Sequence, residues 1–299
     1  MSAVEVWTIG RILKWTEQYF GEKGLESPRL DAEVLLSHVL SKERIYLYVH
    51  FDEPLEKAEL AAYRELIRKR VQRVPVAYLV GRREFMGLSF RVSPATLIPR
   101  PETELLVQAA LDRLKAMEGA SGEDSPLLFA DIGTGTGAIA LSVLHFLPGA
   151  KAAAVDISRD ALAVAKENSE ELDLAERVVF FEGDLLAPLR DRGGKFSAIL
   201  SNPPYIPQSD IPGLPPEVGR HEPMGALAGG ADGLDFYRRL SKEAPELLEG
   251  KGFMAFEVGI RQAEAVARMA EEHPLIVRTE ILKDLAGIQR VVVAWREGE

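Results

Sequence analysis

The sequence contains no cysteine among its 299 residues and only five histidines. The absence of cysteine excludes disulfide bonds, thiolate metal ligands and a cysteine nucleophile. The histidines show none of the spacings by which histidines bind metals in proteins, so we predict no metal site.

No apolar run is long enough to span a bilayer, and the first residues do not resemble a signal peptide. We therefore expect a cytoplasmic protein without a membrane partner. Basic residues are outnumbered by acidic ones, and the net charge of −10 argues against direct binding of nucleic acid, whose phosphates would be repelled. The hydrophobic fraction of 46% and the charged fraction of 27% are those of an ordinary folded protein.

The first part of the chain shows helical periodicity. Thr8 can cap a first helix, and Ser27 followed by Pro28 is a second helix start. A third helix has an apolar face that includes Leu60, Tyr63 and Ile67. We predict a small helical bundle over residues 1–76 and a hairpin-like bridge over residues 77–96.

From residue 97 to residue 299, apolar strands alternate with helical patterns. This alternation predicts an α/β domain with a mostly parallel sheet and helices on both faces. Two apolar stretches at the end of the chain, Leu275–Leu282 and Gln289–Trp295, are predicted to pair as strands. The domain is large enough to form its own core.

A glycine-rich segment follows the first strand of this domain. The apolar run that ends at Ile132 leads into Gly133, Thr134, Gly135, Thr136 and Gly137, and an apolar helical pattern comes next. Because glycine has no Cβ, a ligand can approach the backbone of such a loop closely. The following strand ends in Asp156, and an acid roughly 20 residues after the first glycine suits the two hydroxyls of a ribose.

The spacing of the glycines distinguishes two classes of ribose-containing ligand. Dinucleotide loops read G-x-G-x-x-G, whereas this loop reads G-x-G-x-G and follows Asp131. A carboxylate there would repel a pyrophosphate but favours a sulfonium or an α-amino group, and S-adenosylmethionine carries both. Near the end of the third strand, Asp184 could accept a hydrogen bond from the adenine amine. We therefore predict that S-adenosylmethionine is the cofactor.

The segment Ser201-Asn202-Pro203-Pro204-Tyr205 directly follows the apolar stretch Phe196–Leu200. Proline cannot continue a buried strand, so one amide, two rigid carbonyls and one aromatic ring are placed where the strand ends. Open α/β sheets bind their ligands at that edge. A tight turn that only closes a loop is the alternative, since proline and asparagine are common in turns.

Together, these motifs resemble class I S-adenosylmethionine-dependent methyltransferases that act on planar nitrogen. Other segments resemble one family in particular, the HemK-type release-factor glutamine methyltransferases, and the similarity covers nearly the whole chain. The segments that carry it are Gly81–Leu88, Leu97–Leu106, Glu222-Pro223 with Ala226–Gly230, and Asp232–Tyr237.

The resemblance implies a Rossmann-like, mostly parallel sheet with a C-terminal antiparallel strand, preceded by a helical domain that recognises the protein substrate. It implies methylation of the side-chain nitrogen N5 of the glutamine in the Gly-Gly-Gln motif of class 1 peptide chain release factors, with S-adenosylhomocysteine as the product. Asn202 and Pro203 would then hold the two N–H groups of the glutamine amide. The other residues expected to bind substrate are Pro204, Tyr205, Arg100, Glu102 and Glu104, and Asn202 is also expected to contact the cofactor. For Arg100, Glu102 and Glu104 the alternative is that they only brace the domain, since paired charges often serve structure.

Three other functions remain possible from the sequence. A nucleic-acid methyltransferase that acts on an exocyclic base amine needs a similar Asn-Pro-Pro-Tyr site, but it would require a basic cleft that this acidic chain does not show plainly. A nicotinamide-dependent oxidoreductase is disfavoured by Asp131 and by the glycine spacing. A non-catalytic binding module would leave the Asn-Pro-Pro-Tyr segment unexplained.

Overall fold

The computed structural model describes residues 6–118, 127–190 and 195–298. The α-helices within these ranges are α1 (Ile9–Glu22), α2 (Pro28–Leu40), α3 (Arg44–Val49), α4 (Lys57–Val71), α5 (Val76–Val80), α6 (Glu104–Glu118), α7 (Ala138–Phe146), α8 (Arg159–Glu171), α9 (Ala187–Arg190), α10 (Pro216–Gly219), α11 (Asp235–Leu247) and α12 (Ala263–Glu271). The strands are β1 (Arg82–Phe85), β2 (Leu88–Arg91), β3 (Leu128–Ile132), β4 (Lys151–Asp156), β5 (Val178–Glu182), β6 (Phe196–Ser201), β7 (Leu248–Glu257), β8 (Ile276–Lys283) and β9 (Gln289–Arg296). None of the helices in these ranges combines the length and apolar character needed to cross a bilayer.

Seven strands form one sheet in the order β5-β4-β3-β6-β7-β9-β8. The pairs among β5, β4, β3, β6 and β7 are parallel, and β9 is antiparallel to both of its neighbours. The predicted Rossmann-like sheet with a C-terminal antiparallel strand is confirmed, and so is the pairing of the last two strands.

The central strands are buried on both faces, which explains their continuous apolar sequence. All six residues of β6 are buried, as are four of the five residues of β3. Successive side chains of β3 enter different clusters: Phe129 packs with one set of apolar residues and Ala130 with another. Helices therefore cover both faces of the sheet, as the alternation of strands and helices predicts.

The chain divides into two compact units, one of residues 1–81 with 215–221 and one of residues 82–214 with 222–299. In the first unit, which we call the helical unit, α1 begins after Thr8, whose hydroxyl accepts a hydrogen bond from the amide of Arg11. Helix α2 begins at Pro28, and Tyr63 and Ile67 of α4 are buried in the apolar cluster. The helix starts and the apolar face predicted for this region are confirmed.

A short segment from much later in the chain, residues 215–221, belongs to the helical unit. Its Glu217 accepts hydrogen bonds from Arg70 at 3.0 Å and from Arg73 at 3.3 Å. Arg70 is buried and also binds Asp31 at 2.8 Å. A buried charge needs a partner, and Arg70 has two, of which Glu217 attaches residues 215–221 to α4.

The second unit, which we call the sheet unit, begins with a hairpin of β1 and β2. Met86 and Gly87 form its two-residue turn, and both have a positive φ, as such turns require. The hairpin lies within the stretch predicted as a bridge, but the first residues of that stretch form α5 instead. Phe85 and Phe90 bury their rings in the core at a centroid distance of 6.1 Å.

Candidate active site

A cavity of about 340 Å³ lies at the carboxyl ends of the parallel strands of the sheet unit. It is lined by residues that follow β3, β4, β5 and β6. From β3 the chain continues to β4 and β5 on one side of β3 in the sheet, and then crosses to β6 on the opposite side of β3. The cavity therefore lies where the strand order reverses. Ligands bind at such a point in open α/β sheets.

The glycine-rich loop presents its backbone to the cavity. Gly133 and Gly135 line it, both have a positive φ, and no atom lies within 4 Å of the position that a Cβ would take on either. The loop can therefore be approached closely by a ligand, as S-adenosylmethionine requires. Gly137 does not line the cavity; it precedes α7 and its missing Cβ makes room for Leu141.

Asp131 does not line the cavity, although the sequence led us to place it beside the cofactor. Its Oδ2 accepts hydrogen bonds from the hydroxyl of Thr134 at 2.6 Å and from the amide of Ala140 at 3.2 Å. Complete burial raises the pKa of Asp131 to about 7, and these hydrogen bonds only partly oppose that effect. Asp131 thus joins the glycine loop to α7. Thr134 and Thr136 are buried and do not line the cavity either.

Asp156 lies at the end of β4 and lines the cavity. Its Oδ2 accepts a hydrogen bond from the amide of Gly135 at 2.8 Å, and its Oδ1 accepts one from the amide of Ser158 at 2.9 Å. Burial raises the pKa of the Asp156 carboxyl, and the backbone hydrogen bonds oppose that shift. Each oxygen keeps a second lone pair, so the carboxylate can still accept bonds from the two hydroxyls of a ribose.

Asp184 lines the cavity but has a partner that the sequence did not predict. Strand β5 ends at Glu182, two residues earlier than expected, and Asp184 binds Arg239 of α11 through hydrogen bonds of 2.6 and 3.1 Å. The nearby lining is apolar and includes Leu185 and Phe236. Phe236 belongs to a segment that carried the family resemblance, yet no role could be assigned to it from the sequence.

Asn202, Pro203 and Pro204 line the same cavity as the glycine loop and Asp156. The side-chain Nδ2 of Asn202 donates a hydrogen bond to the hydroxyl of Thr103 at 3.2 Å. Among the described residues, none donates a hydrogen bond to Oδ1 of Asn202 or to the carbonyl of Pro203. Two acceptors are therefore available at the edge of the cavity, as a carboxamide substrate would need.

Tyr205 does not line the cavity. Its ring packs against the apolar cluster that contains Tyr237, and burial raises the pKa of its hydroxyl to about 12. The amide nitrogen of Gln262 donates to the carbonyl of Tyr205 at 2.9 Å, while its oxygen accepts from the amide of Gly259 at 2.9 Å. Gln262 thereby fixes the backbone just after the prolines, a role that no sequence motif indicated.

The three charged residues predicted to bind substrate lie outside the cavity lining. Arg100 donates a hydrogen bond of 2.5 Å to the buried carboxylate of Glu222, whose other oxygen accepts from the amide of Ile98 at 3.4 Å. Glu104 accepts a hydrogen bond from the amide of Met86 at 2.8 Å, and Glu102 is exposed. Arg100 and Glu104 therefore brace neighbouring backbone segments in this structure.

The described part of the chain contains no group of three or more histidine, aspartate or glutamate side chains arranged to hold a metal ion. The chemistry available to this cavity consists of a ribose-binding carboxylate, an open glycine backbone and two hydrogen-bond acceptors on a rigid loop. This combination can hold a nucleoside-containing ligand beside a planar group that carries two N–H bonds.

Comparison with known proteins matches two family descriptions to this chain. Residues 11–81 match the PrmC N-terminal domain, and residues 118–212 match the methyltransferase small domain. The first match covers most of the helical unit, and the second includes the glycine loop, Asp156 and Asn202.

Whole proteins are also similar to this chain. A release factor glutamine methyltransferase of Geobacter sulfurreducens is 46% identical over 265 residues, which cover 89% of each chain. Another, from Rhodopirellula baltica, is 43% identical over 96% of this chain and 95% of its own length. Among solved structures, a methyltransferase of Pyrococcus furiosus has a TM-score of 0.50 at 18% identity, covers 71% of this chain and 90% of its own, and supports the fold alone.

Proposed function

The chain belongs to the family of release factor glutamine methyltransferases, and we propose that it transfers a methyl group from S-adenosylmethionine to N5 of the glutamine in the Gly-Gly-Gln motif of class 1 peptide chain release factors. The observation that supports this most directly is that Asn202 and Pro203 line the same cavity as Gly133 and Gly135 of the glycine loop. Since the family acts in translation, we place the enzyme in the cytoplasm.

We assign the cofactor to the glycine loop, Asp156 and the apolar lining near Leu185 and Phe236. Asp156 would accept hydrogen bonds from the ribose hydroxyls, and the backbone of Gly133 and Gly135 would leave space for the rest of the ligand. Asp131 would act indirectly, by holding the loop against α7. When bound, S-adenosylmethionine supplies a methyl group on a positively charged sulfur, a good leaving group, so that transfer needs neither a metal nor a covalent intermediate.

A carboxamide nitrogen is a weak nucleophile because its lone pair is delocalised into the carbonyl. Asn202 and Pro203 would each accept one N–H of the glutamine amide and so orient the nitrogen towards the methyl group. Positive charge develops on that nitrogen as the N–CH₃ bond forms and the S–CH₃ bond breaks, which strengthens both hydrogen bonds in the transition state. The nitrogen then loses one proton, for which water serves as the acceptor. The two prolines stiffen the loop, so the acceptors need little reorganisation.

The helical unit carries no chemistry that the cavity needs, and we propose that it recognises the release factor. Arg100 and Glu104 would then support the substrate site through the backbone that they brace, with Glu102 exposed beside them. Tyr205 would support the loop that carries Asn202 and Pro203, since its ring is packed in the apolar cluster and its carbonyl accepts a hydrogen bond from Gln262.

The substrate can be tested by methyl transfer to three acceptors side by side. The enzyme is incubated with radiolabelled S-adenosylmethionine and a class 1 release factor, RNA or DNA, and the labelled peptide is identified by mass spectrometry. We expect one added methyl group on the glutamine of the Gly-Gly-Gln motif and no label when that glutamine is replaced. Label in a nucleic acid but not in the release factor would favour the exocyclic-amine alternative.

Asp156→Asn tests the assignment of the cofactor. The asparagine can accept from only one of the two backbone amides that now bind the carboxylate, and it loses the negative charge. We expect the Kd for S-adenosylhomocysteine, measured by calorimetry, to rise roughly 10- to 100-fold. Asp160→Asn, on the exposed first turn of α8, is the control and should bind as the wild type does. An unchanged Kd in Asp156→Asn would place the ribose elsewhere.

A further inference from the structure

Thr103 and Glu257 lie beside Asn202 without lining the cavity. Both side chains are buried, with exposures of 5% and 2%. Strand β7 runs parallel to β6 and pairs Phe256 with Ser201, so Glu257 is at the level of Asn202 on the neighbouring strand. Oε2 of Glu257 has no hydrogen-bond partner among the described residues. A buried, incompletely paired carboxylate is costly and calls for a physical reason.

The hydrogen bond between Asn202 and Thr103 has a direction that matters. Nδ2 of Asn202 donates to the hydroxyl oxygen of Thr103, so Oδ1 of Asn202 is left to accept a hydrogen bond from the substrate. A hydroxyl group can also donate. If Thr103 acted alone, its hydroxyl could therefore also donate to Oδ1 of Asn202 after the carboxamide had turned by 180°. The NH₂ group of Asn202 would then face the N–H groups of the substrate and could not bind them.

Glu257 removes this ambiguity when it is ionised. A carboxylate only accepts hydrogen bonds, so the single hydroxyl proton of Thr103 is directed to it and the Thr103 oxygen becomes an acceptor for Asn202. Burial raises the pKa of Glu257 to about 7, while the hydrogen bond from Thr103, the charge of Arg290 and the amide of Asn202 all favour the ionised form. Glu257 thus accepts from Thr103 and also directly from the amide of Asn202, while the same amide donates to the hydroxyl of Thr103.

We propose that Glu257 and Thr103 are positioning residues that fix the orientation of the Asn202 carboxamide, so that its oxygen faces the substrate amide. This inference rests on the proposed function, because it concerns the group that would hold the glutamine. It adds a carboxylate and a hydroxyl that never touch the substrate.

The arrangement has a pH dependence whose sign follows from the chemistry. Once protonated, Glu257 can itself donate to Thr103, whose hydroxyl is then free to donate to Oδ1 of Asn202. Activity should therefore be lost as pH falls through the pKa of Glu257. The other ionisable groups facing Glu257 are Arg290, Glu102, Tyr205 and Tyr237. Burial raises the pKa of both tyrosines, so they stay neutral in this range.

The decisive experiment is the pH profile of kcat for release-factor methylation in paired variants. We expect the wild-type kcat to fall at acid pH with an apparent pKa near 7. Glu257→Gln should remove this acid limb and lower kcat at pH 8 on the order of tenfold, because a glutamine can donate to Thr103 and leave the amide free to turn. Glu249→Gln, the same substitution in the same strand, is the control and should keep the wild-type profile.

Substitutions of Thr103 provide a second pair of variants, in which the buried carboxylate of Glu257 is unchanged. Thr103→Val removes the hydroxyl and should lower kcat, whereas Thr103→Ser keeps it and should restore activity. Binding of S-adenosylhomocysteine and the melting temperature are measured for each variant, so that loss of folding is recognised. If Glu257→Gln does not fold, the proposal is tested by comparing kcat of Thr103→Val with kcat of Thr103→Ser. An acid limb that persists in Glu257→Gln, or wild-type kcat in Thr103→Val, would overturn the proposal.

Failure of the proposed function would look different, because the wild type itself would then methylate no release factor at any pH. The orientation of Asn202 can still be measured in that case, by NMR of its side-chain NH₂ signals, assigned from their loss in Asn202→Ala. We expect these signals to shift with pH in the wild type and to be insensitive in Glu257→Gln. Signals that do not shift in the wild type would contradict the proposal independently of any activity.

Discussion

Replacing Asn202 with alanine is expected to lower kcat for release-factor methylation by roughly 100- to 1000-fold, which is the usual effect of removing one preorganised hydrogen-bonding group that acts in the transition state. Alanine deletes the Oδ1 acceptor at the edge of the cavity, so the substrate amide keeps only the carbonyl of Pro203. The glycine loop and Asp156 remain intact. The Kd for S-adenosylhomocysteine should therefore change little, as measured by calorimetry alongside single-turnover methyl transfer.

Gln208→Ala is the matched control for this experiment. Gln208 carries a carboxamide six residues further along the same loop, and its side chain is exposed. Its removal should leave both kcat and cofactor binding at the wild-type level. A fully active Asn202→Ala enzyme would show that the amide of the substrate is not held by this side chain.

Gly229→Ala is expected to lower kcat by about 100-fold or more, although Gly229 carries no functional group. A Cβ at this position would lie 2.8 Å from the carbonyl oxygen of Pro204 and 2.8 Å from Cα of Tyr205. Both contacts are with backbone atoms, which cannot move aside by rotating a side chain. The loop that carries the two acceptors must therefore shift, and a displacement of about 1 Å in an oriented site can cost about 100-fold in rate.

The loss in Gly229→Ala should be seen in kcat, with the fold preserved. Circular dichroism and the melting temperature establish whether the variant is folded; we expect a destabilisation of about 1 to 3 kcal/mol from the added methyl group. Gly213→Ala is the control, because no atom lies within 4 Å of a Cβ there and its φ is negative. Wild-type turnover in Gly229→Ala would mean that the loop geometry has no bearing on the reaction rate.

The parts of the site that could be predicted from the sequence are those that follow a strand within a few residues. Gly133, Asp156 and Asn202 each lie at the end of a strand or next after it, and parallel strands bring their carboxyl ends to one edge of the sheet. Local sequence therefore sufficed to place them together. The prediction for Asp184 was less complete, because Arg239, its partner, lies 55 residues away on α11.

Other features depend on contacts that no local pattern encodes. Glu257 comes next to Asn202 only through the order and register of β6 and β7. Arg100 pairs with Glu222 across 122 residues, so its charge alone could not distinguish a substrate contact from a structural one. The contacts of Asp131 with Thr134 and with the amide of Ala140 in α7 likewise could not be read from its residue type and its position near the end of β3.

Residues 215–221 belong to the helical unit, and this affects how the protein can be divided into fragments. A fragment that starts at residue 82 would retain every cavity-lining residue. It would lack Arg70 and Arg73, which donate hydrogen bonds to Glu217. Residues 215–221, which would lose these contacts, begin only ten residues after Tyr205. The chain leaves the helical unit after residue 81, returns to it at residue 215 and leaves it again after residue 221, so a cut at residue 82 also separates residues 215–221 from the unit to which they belong.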